Sequence, residues 1–241
     1  MKISVAQTRP GKGAIQQNIE QHKKLIDLAV TYGVDTIIFP ELSLTGYEPT
    51  LAKELATDYT DDRFDDFQLI SDRNQITIGV GMPTTTEAGI RISMLIFQPE
   101  KPRQLYSKQH LHADEYPYFV GGQEPVLLAA GAIALAICYE LSVPEHAGQA
   151  FQSGATVYMA SVAKTASGVE KAVDRLAEIA RTYSMTVLMA NCVGYCDNVV
   201  CGGKSSIWNS KGELVGQLTD MDMGILILDT DTSDVFTAIS D

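Results

Sequence analysis

The sequence contains few positive charges and no long apolar run. Lys and Arg number 18 against 30 Asp and Glu, which gives a net charge of −12. This excess of negative charge opposes extended contact with phosphate backbones or anionic membrane surfaces. The most apolar uncharged run, Val126–Tyr139, is shorter than the about 20 apolar residues that a membrane-spanning helix needs. We therefore expect neither nucleic acid nor a membrane as a partner.

Cysteine is also scarce, because the chain has only Cys138, Cys192, Cys196 and Cys201. Four unevenly spaced cysteines do not make a disulfide framework, and the paired C-x2-C units of a zinc ribbon are missing. The chain opens on the strand-like segment Met1–Val5 without an apolar leader. We expect reduced thiols, a cytoplasmic protein, and neither a metal ion nor a cofactor.

Linkers rich in Pro, Gly or Ser are absent as well. The 241 residues, 45% hydrophobic and 20% charged, have the composition of a globular protein and the length of one large domain. We expect residues 1–241 to form a single α/β domain.

The first forty residues predict a βαβ unit. Residues 3–7 resemble a strand, apolar positions recur at the helical period over 14–32, and 34–39 is a β-branched run typical of a strand buried on both faces. A parallel sheet is expected here.

Further strands and helices follow along the chain. A helix is predicted through Phe64 and Ile70, Pro83 and Gly89 are expected to bracket a hairpin loop, and a polar loop is expected over 109–123. Strands are predicted at 75–82, 92–98, 103–106, 126–129, 132–137, 155–160, 186–191, 204–209, 213–217 and 223–229.

Two later helices carry possible capping boxes at their starts. Ser142 with Glu145 predicts one helix directly after the strand 132–137, and Ser167 with Glu170 predicts the other.

Three reactive side chains stand at strand ends. Cys138 follows an apolar strand and precedes a helix, where a helix N-terminus is expected to lower the pKa of a thiol. Glu41 lies among apolar residues, which should raise the pKa of its carboxyl and suit a general base. Lys108 could stabilise an oxyanion. An inert core cysteine, a surface glutamate and a solvated lysine would fit the same positions.

Three motifs in order carry a resemblance to a known family: Pro40–Tyr47, Lys108–Leu111 with Glu115 and Phe119–Gly122, and Cys138–Glu145. Together they resemble the nitrilase superfamily of carbon–nitrogen hydrolases, in its amidase-like branch. The resemblance extends from residue 3 to about 230 and implies a four-layer αββα sandwich.

The resemblance also implies roles for these residues. Cys138 would be the nucleophile, Glu41 the general base, Lys108 the oxyanion stabiliser, and the backbone N–H of Tyr139 a second oxyanion donor. Glu115 matches a second family glutamate that orients the site, although it could also be one acid of an exposed pair.

The expected activity is hydrolysis of a small linear amide or carbamoyl C–N bond through a cysteine thioester, with release of ammonia or an amine. An acyltransferase, a nitrile hydrolase and a non-catalytic scaffold of the same fold are the alternatives, together with a Cys–His hydrolase that would use His146. The resemblance implies a homodimer or larger homo-oligomer.

One departure from the family pattern concerns the substrate. Many amidases of the family carry an aromatic residue or a Trp-Pro pair after the strand 155–160, whereas Ser161–Lys164 follows here. Any basic group for an anionic substrate must be found apart from Lys108; Arg91, Arg103, Arg175 and Arg181 are the candidates.

Overall fold

The computed structural model describes residues 1–240, in which two large β-sheets and one separate hairpin are flanked by helices. The strands are β1 (Lys2–Gln7), β2 (Thr36–Ile38), β3 (Thr77–Thr86), β4 (Gly89–Phe97), β5 (Gln104–Ser107), β6 (Leu127–Leu128), β7 (Ile133–Ile137), β8 (Val157–Ser161), β9 (Thr186–Ala190), β10 (Val193–Cys196), β11 (Val199–Gly202), β12 (Ser206–Trp208), β13 (Leu214–Gln217), β14 (Gly224–Asp229) and β15 (Val235–Ile239). The helices are α1 (Ile15–Thr31), α2 (Ala52–Leu55), α3 (Asp65–Asn74), α4 (Pro144–Gln152) and α5 (Ala166–Tyr183).

The two sheets each have a parallel centre. The first has the order β15-β14-β1-β2-β3-β4-β5, and the second has the order β13-β12-β9-β8-β7-β6. Strands β1, β2 and β3 pair in parallel, as do β7, β8 and β9. The predicted βαβ unit at the start of the chain is confirmed.

Successive side chains of the central strands point to opposite faces of each sheet, and this alternation explains the layers of sheets and helices. In β7, Ile133, Leu135 and Ile137 face the core between the two sheets, while Ala134 and Ala136 pack with the residues of α4 and α5. Small side chains on the helix side allow the helices to approach the sheet closely. In the first sheet the opposite face packs against α1 and α3. The predicted αββα sandwich is confirmed.

The candidate catalytic residues follow the ends of three strands. Strands β2 and β5 run in the same direction, because β4 is antiparallel to both β3 and β5. The carboxyl ends of β2, β5 and β7 lead directly to Glu41, Lys108 and Cys138. Open α/β sheets present their ligand sites at such ends.

The hairpin loop predicted between Pro83 and Gly89 is shorter than expected. Strand β3 continues through Pro83, which lies opposite Ile92, and the turn contains only Glu87 and Ala88. Pro83 is tolerated because β2 pairs with β3 only over Thr77–Gly79, so no partner on that side needs the missing N–H.

The predictions of both capping boxes are wrong. Helix α4 has Val143 as its N-cap residue and no side-chain cap, because Pro144 forces the residue before it into an extended conformation. Ser142 ends the preceding 3-10 turn instead. At α5, Thr165 is the N-cap and its Oγ1 accepts a hydrogen bond from Gly168 N at 3.2 Å, so this helix begins before Ser167.

Two hairpin strands and a terminal strand were not predicted. Strands β10 and β11 pair with each other outside both sheets, and β15 extends the first sheet beyond β14. Within residues 1–240 none of the helices combines the length and apolar character required to cross a membrane.

Candidate active site

The Lys108 ammonium bridges two carboxylates. Its Nζ lies 2.8 Å from Glu41 Oε1 and 2.6 Å from Glu115 Oε1. Lys108 is 0% exposed, Glu41 is 2% exposed and Glu115 is 1% exposed. Charges removed from water to this extent are stable only when they are paired. The three sequence-predicted residues therefore form one buried ionic cluster, and Glu115 is not part of an exposed acidic pair.

Burial sets the proton affinity of the cluster. Loss of hydration raises the pKa of Glu41 to about 6, although the positive charge of Lys108 opposes the shift and the negative charge of Glu115 adds to it. For Lys108, burial favours the neutral amine, but the surrounding negative groups outweigh it and raise its pKa. Lys108 therefore stays charged, while Glu41 can take and give a proton near neutral pH.

Only one of the two carboxylate oxygens of Glu41 binds Lys108. Lys108 binds Oε1, whereas Oε2 is buried and no donor within residues 1–240 meets it at full hydrogen-bonding geometry. The Cys138 thiol is close enough to lower the pKa of this carboxyl. A buried acceptor without a partner is costly, and such groups are found where a reaction needs them. Oε2 is thus the atom available to receive a proton.

Cys138 stands at a sharp turn between β7 and a short 3-10 turn that spans Cys138–Ser142. Its φ of +44° is in the left-handed region, which costs a residue with a Cβ about 1 kcal/mol or more. Cys138 as a residue is partly exposed, whereas Cys192, Cys196 and Cys201 are buried. The thiol group of Cys138 is itself enclosed by the protein.

The pKa of the Cys138 thiol is raised, which corrects the expectation that a helix N-terminus would lower it. Burial is the main cause and the Glu41 carboxylate adds to it, while Lys164 and Lys108 pull in the other direction. A thiol held in its protonated form requires a base at the moment of attack.

Glu115 is held by three donors. Besides Lys108, the Tyr47 hydroxyl donates to its Oε1 at 2.9 Å, and the His112 backbone N–H donates to its Oε2 at 2.7 Å. The short 3-10 turn Ala113–Glu115 begins at His112 and provides this geometry. Tyr47 was quoted only as part of a motif, and its contact with Glu115 could not be inferred from the sequence.

Tyr139, the predicted backbone donor, directly follows the nucleophile in the 3-10 turn. Its ring is 37% exposed and lies edge-on to His112, with ring centroids 5.2 Å apart. Its N–H has no partner among the backbone hydrogen bonds within residues 1–240.

Glu140 is a buried acid that the sequence analysis missed. Its carboxylate accepts hydrogen bonds from the backbone N–H of Ile137 and of Gln109, at 2.6 and 2.5 Å, and from the Tyr106 hydroxyl at 2.6 Å. Glu140 therefore ties the segment before Cys138 to the segment after Lys108. The only signal for it was its place in the Cys138–Glu145 motif.

The imidazole of His146 hydrogen-bonds with two tyrosines and not with Cys138. Its Nδ1 hydrogen-bonds with the Tyr158 hydroxyl at 2.8 Å and its Nε2 with the Tyr106 hydroxyl at 3.0 Å. Burial lowers the pKa of its imidazole. Both ring nitrogens are thus used within the core, which argues against a Cys–His pair with Cys138.

A second positive charge, that of Lys164, acts on Cys138. Strand β8 lies next to β7 in parallel, with Ser161 opposite Ile137, so Lys164 lies at the same sheet edge as Cys138. Its charge lowers the pKa of the Cys138 thiol, and within residues 1–240 its ammonium forms no ion pair.

Two of the four arginines considered from the sequence, Arg103 and Arg175, are held by contacts within the chain. Arg103 hydrogen-bonds with Tyr59 O, Asp61 O and Asp65 on the outer side of the first sheet. Arg175 donates to Leu141 O and to Glu178. Both guanidinium groups are used for internal contacts.

The three remaining cysteines come together, contrary to what their spacing suggested. The Sγ atoms of Cys192, Cys196 and Cys201 lie within 4.8 Å of one another, and all three residues are buried. A metal site is not expected there from the sequence, because the paired C-x2-C units of a zinc ribbon are missing and a fourth ligand would have to come from elsewhere in the chain.

Comparison with known proteins now decides the family. Residues 2–239 match the profile of a family described as carbon-nitrogen hydrolase. The chain belongs to the carbon-nitrogen hydrolase family. The fold agrees, since a mutant of the amidase from Nesterenkonia sp. AN1 in complex with butyramide superimposes with a TM-score of 0.87 at 21% identity, over 97% of this chain and 92% of that one. The family match over residues 2–239 confirms the resemblance noted from the motifs. Another solved structure of the Nesterenkonia protein, described as from the nitrilase superfamily, shares the fold at 21% identity.

Two curated proteins are also similar to this chain in sequence. A Staphylococcus aureus protein named as a hydrolase in the agr operon is 25% identical over 98% of this chain and 93% of its own length. The glutamine-dependent NAD(+) synthetase of Thermotoga maritima is 24% identical over 96% of this chain, which spans only 42% of the synthetase.

Proposed function

We propose that this protein hydrolyses the C–N bond of a small linear amide or carbamoyl compound through a thioester on Cys138. The observation that carries the proposal is the Lys108 ammonium, which is fully buried between the carboxylates of Glu41 and Glu115. A buried cluster of one ammonium and two carboxylates beside a strained cysteine is costly to maintain unless it serves a reaction.

Acylation begins with Glu41. Its free Oε2 takes the proton of the Cys138 thiol as the sulfur attacks the amide carbonyl carbon, and the carbonyl π electrons move to oxygen. The thiol has a raised pKa, so little thiolate exists before the substrate arrives and base assistance matters.

The oxyanion formed in this step needs donors. The Lys108 ammonium and the Tyr139 backbone N–H supply them, and in a site shielded from water such donors contribute several kcal/mol to the transition state. Collapse of the tetrahedral intermediate breaks the C–N bond. Glu41 returns the proton to the leaving nitrogen, so ammonia or an amine departs.

Deacylation uses the same base. Glu41 removes a proton from water, the resulting hydroxide attacks the thioester carbon, and the C–S bond breaks. The sulfur leaves as thiolate and regains the proton from Glu41, while the acid product dissociates. Glu115 positions Lys108 in both halves, because its carboxylate binds the same ammonium as Glu41.

Lys164 suggests which substrates suit the site. It stands at the Cys138 edge of the sheet, where many amidases of the family carry an aromatic residue or a Trp-Pro pair. We infer that the acyl or amine portion of the substrate carries an anionic group, such as a carboxylate, which pairs with this ammonium.

The relatives support the reaction class. The Nesterenkonia amidase has been solved with the acetamide moiety of fluoroacetamide covalently added at its active-site cysteine, and that chain shares the present fold. The Staphylococcus aureus relative is named as a hydrolase.

Ammonia release tests the proposal. Purified wild-type protein and Cys138→Ala are each incubated with a panel of linear amides, carbamoyl amino acids and nitriles. We expect release from amides or carbamoyl compounds by wild type alone. Equal release by Cys138→Ala would refute the mechanism, and turnover restricted to nitriles would favour nitrile hydrolysis.

A nucleophile competition separates hydrolase from acyltransferase. With water as the acceptor the acid should form at a rate close to that of substrate loss. Substrate loss that requires added hydroxylamine or an amine would identify an acyltransferase instead.

A further inference from the structure

A compact cluster of three thiols lies beside the active site and has no part in the reaction described above. Cys192 Sγ and Cys196 Sγ are 3.5 Å apart, and Cys201 Sγ completes a group in which every pair of sulfurs lies within 4.8 Å. The residues are only 1%, 1% and 3% exposed. We call Cys192, Cys196 and Cys201 the thiol cluster.

The hairpin β10–β11 builds this cluster. Residues four apart on a flat strand are separated by about 13 Å, which is too far for two sulfurs to meet. Gly194, between Cys192 and Cys196, has a φ of +84°, and this bend of the strand brings the two cysteines together. Cys201 is paired with Gly194 across the hairpin, so its sulfur enters from the opposite strand.

The cluster adjoins the ionic residues through Tyr47. The side chain of Tyr47 packs against the three cysteines together with Ala163, and the Tyr47 hydroxyl donates to Glu115 at 2.9 Å. Whatever fixes the thiol cluster therefore also fixes a residue that holds Glu115, and through Glu115 the position of Lys108.

We propose that the thiol cluster binds one thiophilic metal ion, Cu(I) or Zn(II), through the sulfurs of Cys192, Cys196 and Cys201. Two thiolates bound to one ion at ~2.3 Å are about 3.8 Å apart in tetrahedral geometry and about 4.0 Å apart in a flat triangle. The observed separations, from 3.5 Å to no more than 4.8 Å, bracket both values. Only small side-chain rotations are needed to close the site.

The number of ligands favours Cu(I). Among residues 1–240 the group contains these three cysteines and no fourth His, Asp, Glu or Cys. Structural zinc sites are almost always four-coordinate, whereas soft thiolate ligands suit Cu(I). Binding releases the thiol protons to solvent, because the thiolate is the form that coordinates.

The site would be structural, because the three cysteines are buried and contact the ionic residues only through Tyr47. A bound ion that joins β10 to β11 stabilises the folded chain by mass action, since the unfolded chain holds no preformed site. It also keeps Tyr47 against Glu115.

Metal titration of the full chain tests the proposal. The Cys138→Ser variant is used throughout, so that the catalytic thiol does not compete. Cu(I) is added without oxygen in the presence of the chromophoric chelator bathocuproine disulfonate, and Zn(II) is added to a parallel sample with a zinc indicator. We expect one ion per chain, held more tightly against its competitor in the Cu(I) arm.

Three further variants assign the ligands. Adding Cys192→Ser, Cys196→Ser or Cys201→Ser should each weaken binding at least tenfold and abolish the rise in Tm that the ion produces. Binding that is unchanged in these variants, or that falls short of one ion per chain in both arms, would overturn the proposal.

Alkylation mapping does not depend on the folding of a variant. In wild-type protein held in enough urea to make the cluster cysteines accessible, the ion should slow the alkylation of Cys192, Cys196 and Cys201 together by N-ethylmaleimide, while the rate at Cys138 stays the same. Equal alkylation with and without the ion would overturn the proposal. So would a disulfide between two of the three cysteines in freshly purified protein, because it would consume the ligands.

Discussion

Lys108 Nζ lies 2.8 Å from Glu41 Oε1, and neither side chain is exposed to solvent. The pair brings together the segments that follow β5 and β2, which are 67 residues apart in sequence. Because Glu115 binds the same ammonium, removal of Lys108 leaves two buried carboxylates facing each other.

Lys108→Met should therefore lower both activity and stability. We expect kcat to fall by about 10²–10³-fold, the usual effect of losing one oxyanion donor, and the free energy of unfolding to fall by about 3 kcal/mol. Ammonia release and urea unfolding measure the two effects. Lys24→Met, which removes an exposed lysine of α1, is the matched control. Wild-type kcat in Lys108→Met would contradict the role given to this residue.

Activity should depend on the protonation of Glu41, the pKa of which is raised to about 6. The base works only when ionised, so kcat/KM should be level above this pH and fall as the pH decreases below it, approaching tenfold per unit. A pH–rate profile with a neutral amide measures this limb. An acid limb centred near the ordinary glutamate pKa, or a wild-type profile in Glu41→Gln, would show that another group is the base.

Glu140 should act as a positioning residue. Glu140→Gln replaces one acceptor oxygen with a donor amide, so at least one of the donors Ile137 N, Gln109 N and Tyr106 Oη loses its partner. We expect about 2–3 kcal/mol of destabilisation and a lower kcat with little change in KM. Glu145→Gln, at an exposed position in α4, controls for the loss of charge. A kcat unchanged while stability falls would make Glu140 purely structural.

Lys164 should control the choice of substrate charge. Lys164→Met is expected to raise KM for amides that carry a carboxylate by about tenfold, the equivalent of about 1.4 kcal/mol, and to leave neutral amides of the same size unaffected. Steady-state kinetics on such a pair of substrates measures the difference. Lys171→Met removes an exposed lysine of α5 and should change neither value. A uniform effect of Lys164→Met on both substrates would argue against an ion pair.

Much of the architecture could be predicted from the sequence. Periodic apolar residues identified the βαβ start and the strands of both sheets, because each strand is buried on one or both faces. Glu41, Lys108 and Cys138 stand where three strands end, and those ends meet in space. Motif order placed Glu115 with them, and the structure confirms that the ionic residues are adjacent.

Other features depend on competition that a local pattern does not reveal. Ser142 and Ser167 are good capping residues, but Pro144 and Thr165 determine where the helices begin. The pKa of Cys138 follows from its burial and from Glu41, which outweigh the lysines. The thiol cluster depends on a bend at Gly194 and on pairing across a hairpin, and neither follows from cysteine spacing.

The thioester on Cys138 is the central claim, and its direct observation is the most decisive measurement. Wild-type protein is mixed with a turned-over amide, quenched in acid during steady state, digested and examined by mass spectrometry. We predict that the peptide containing Cys138 gains the mass of the acyl group, that hydroxylamine removes it, and that Cys138→Ser never shows the hydroxylamine-labile adduct. An acyl adduct on a different residue, or full turnover by Cys138→Ala, would contradict the account.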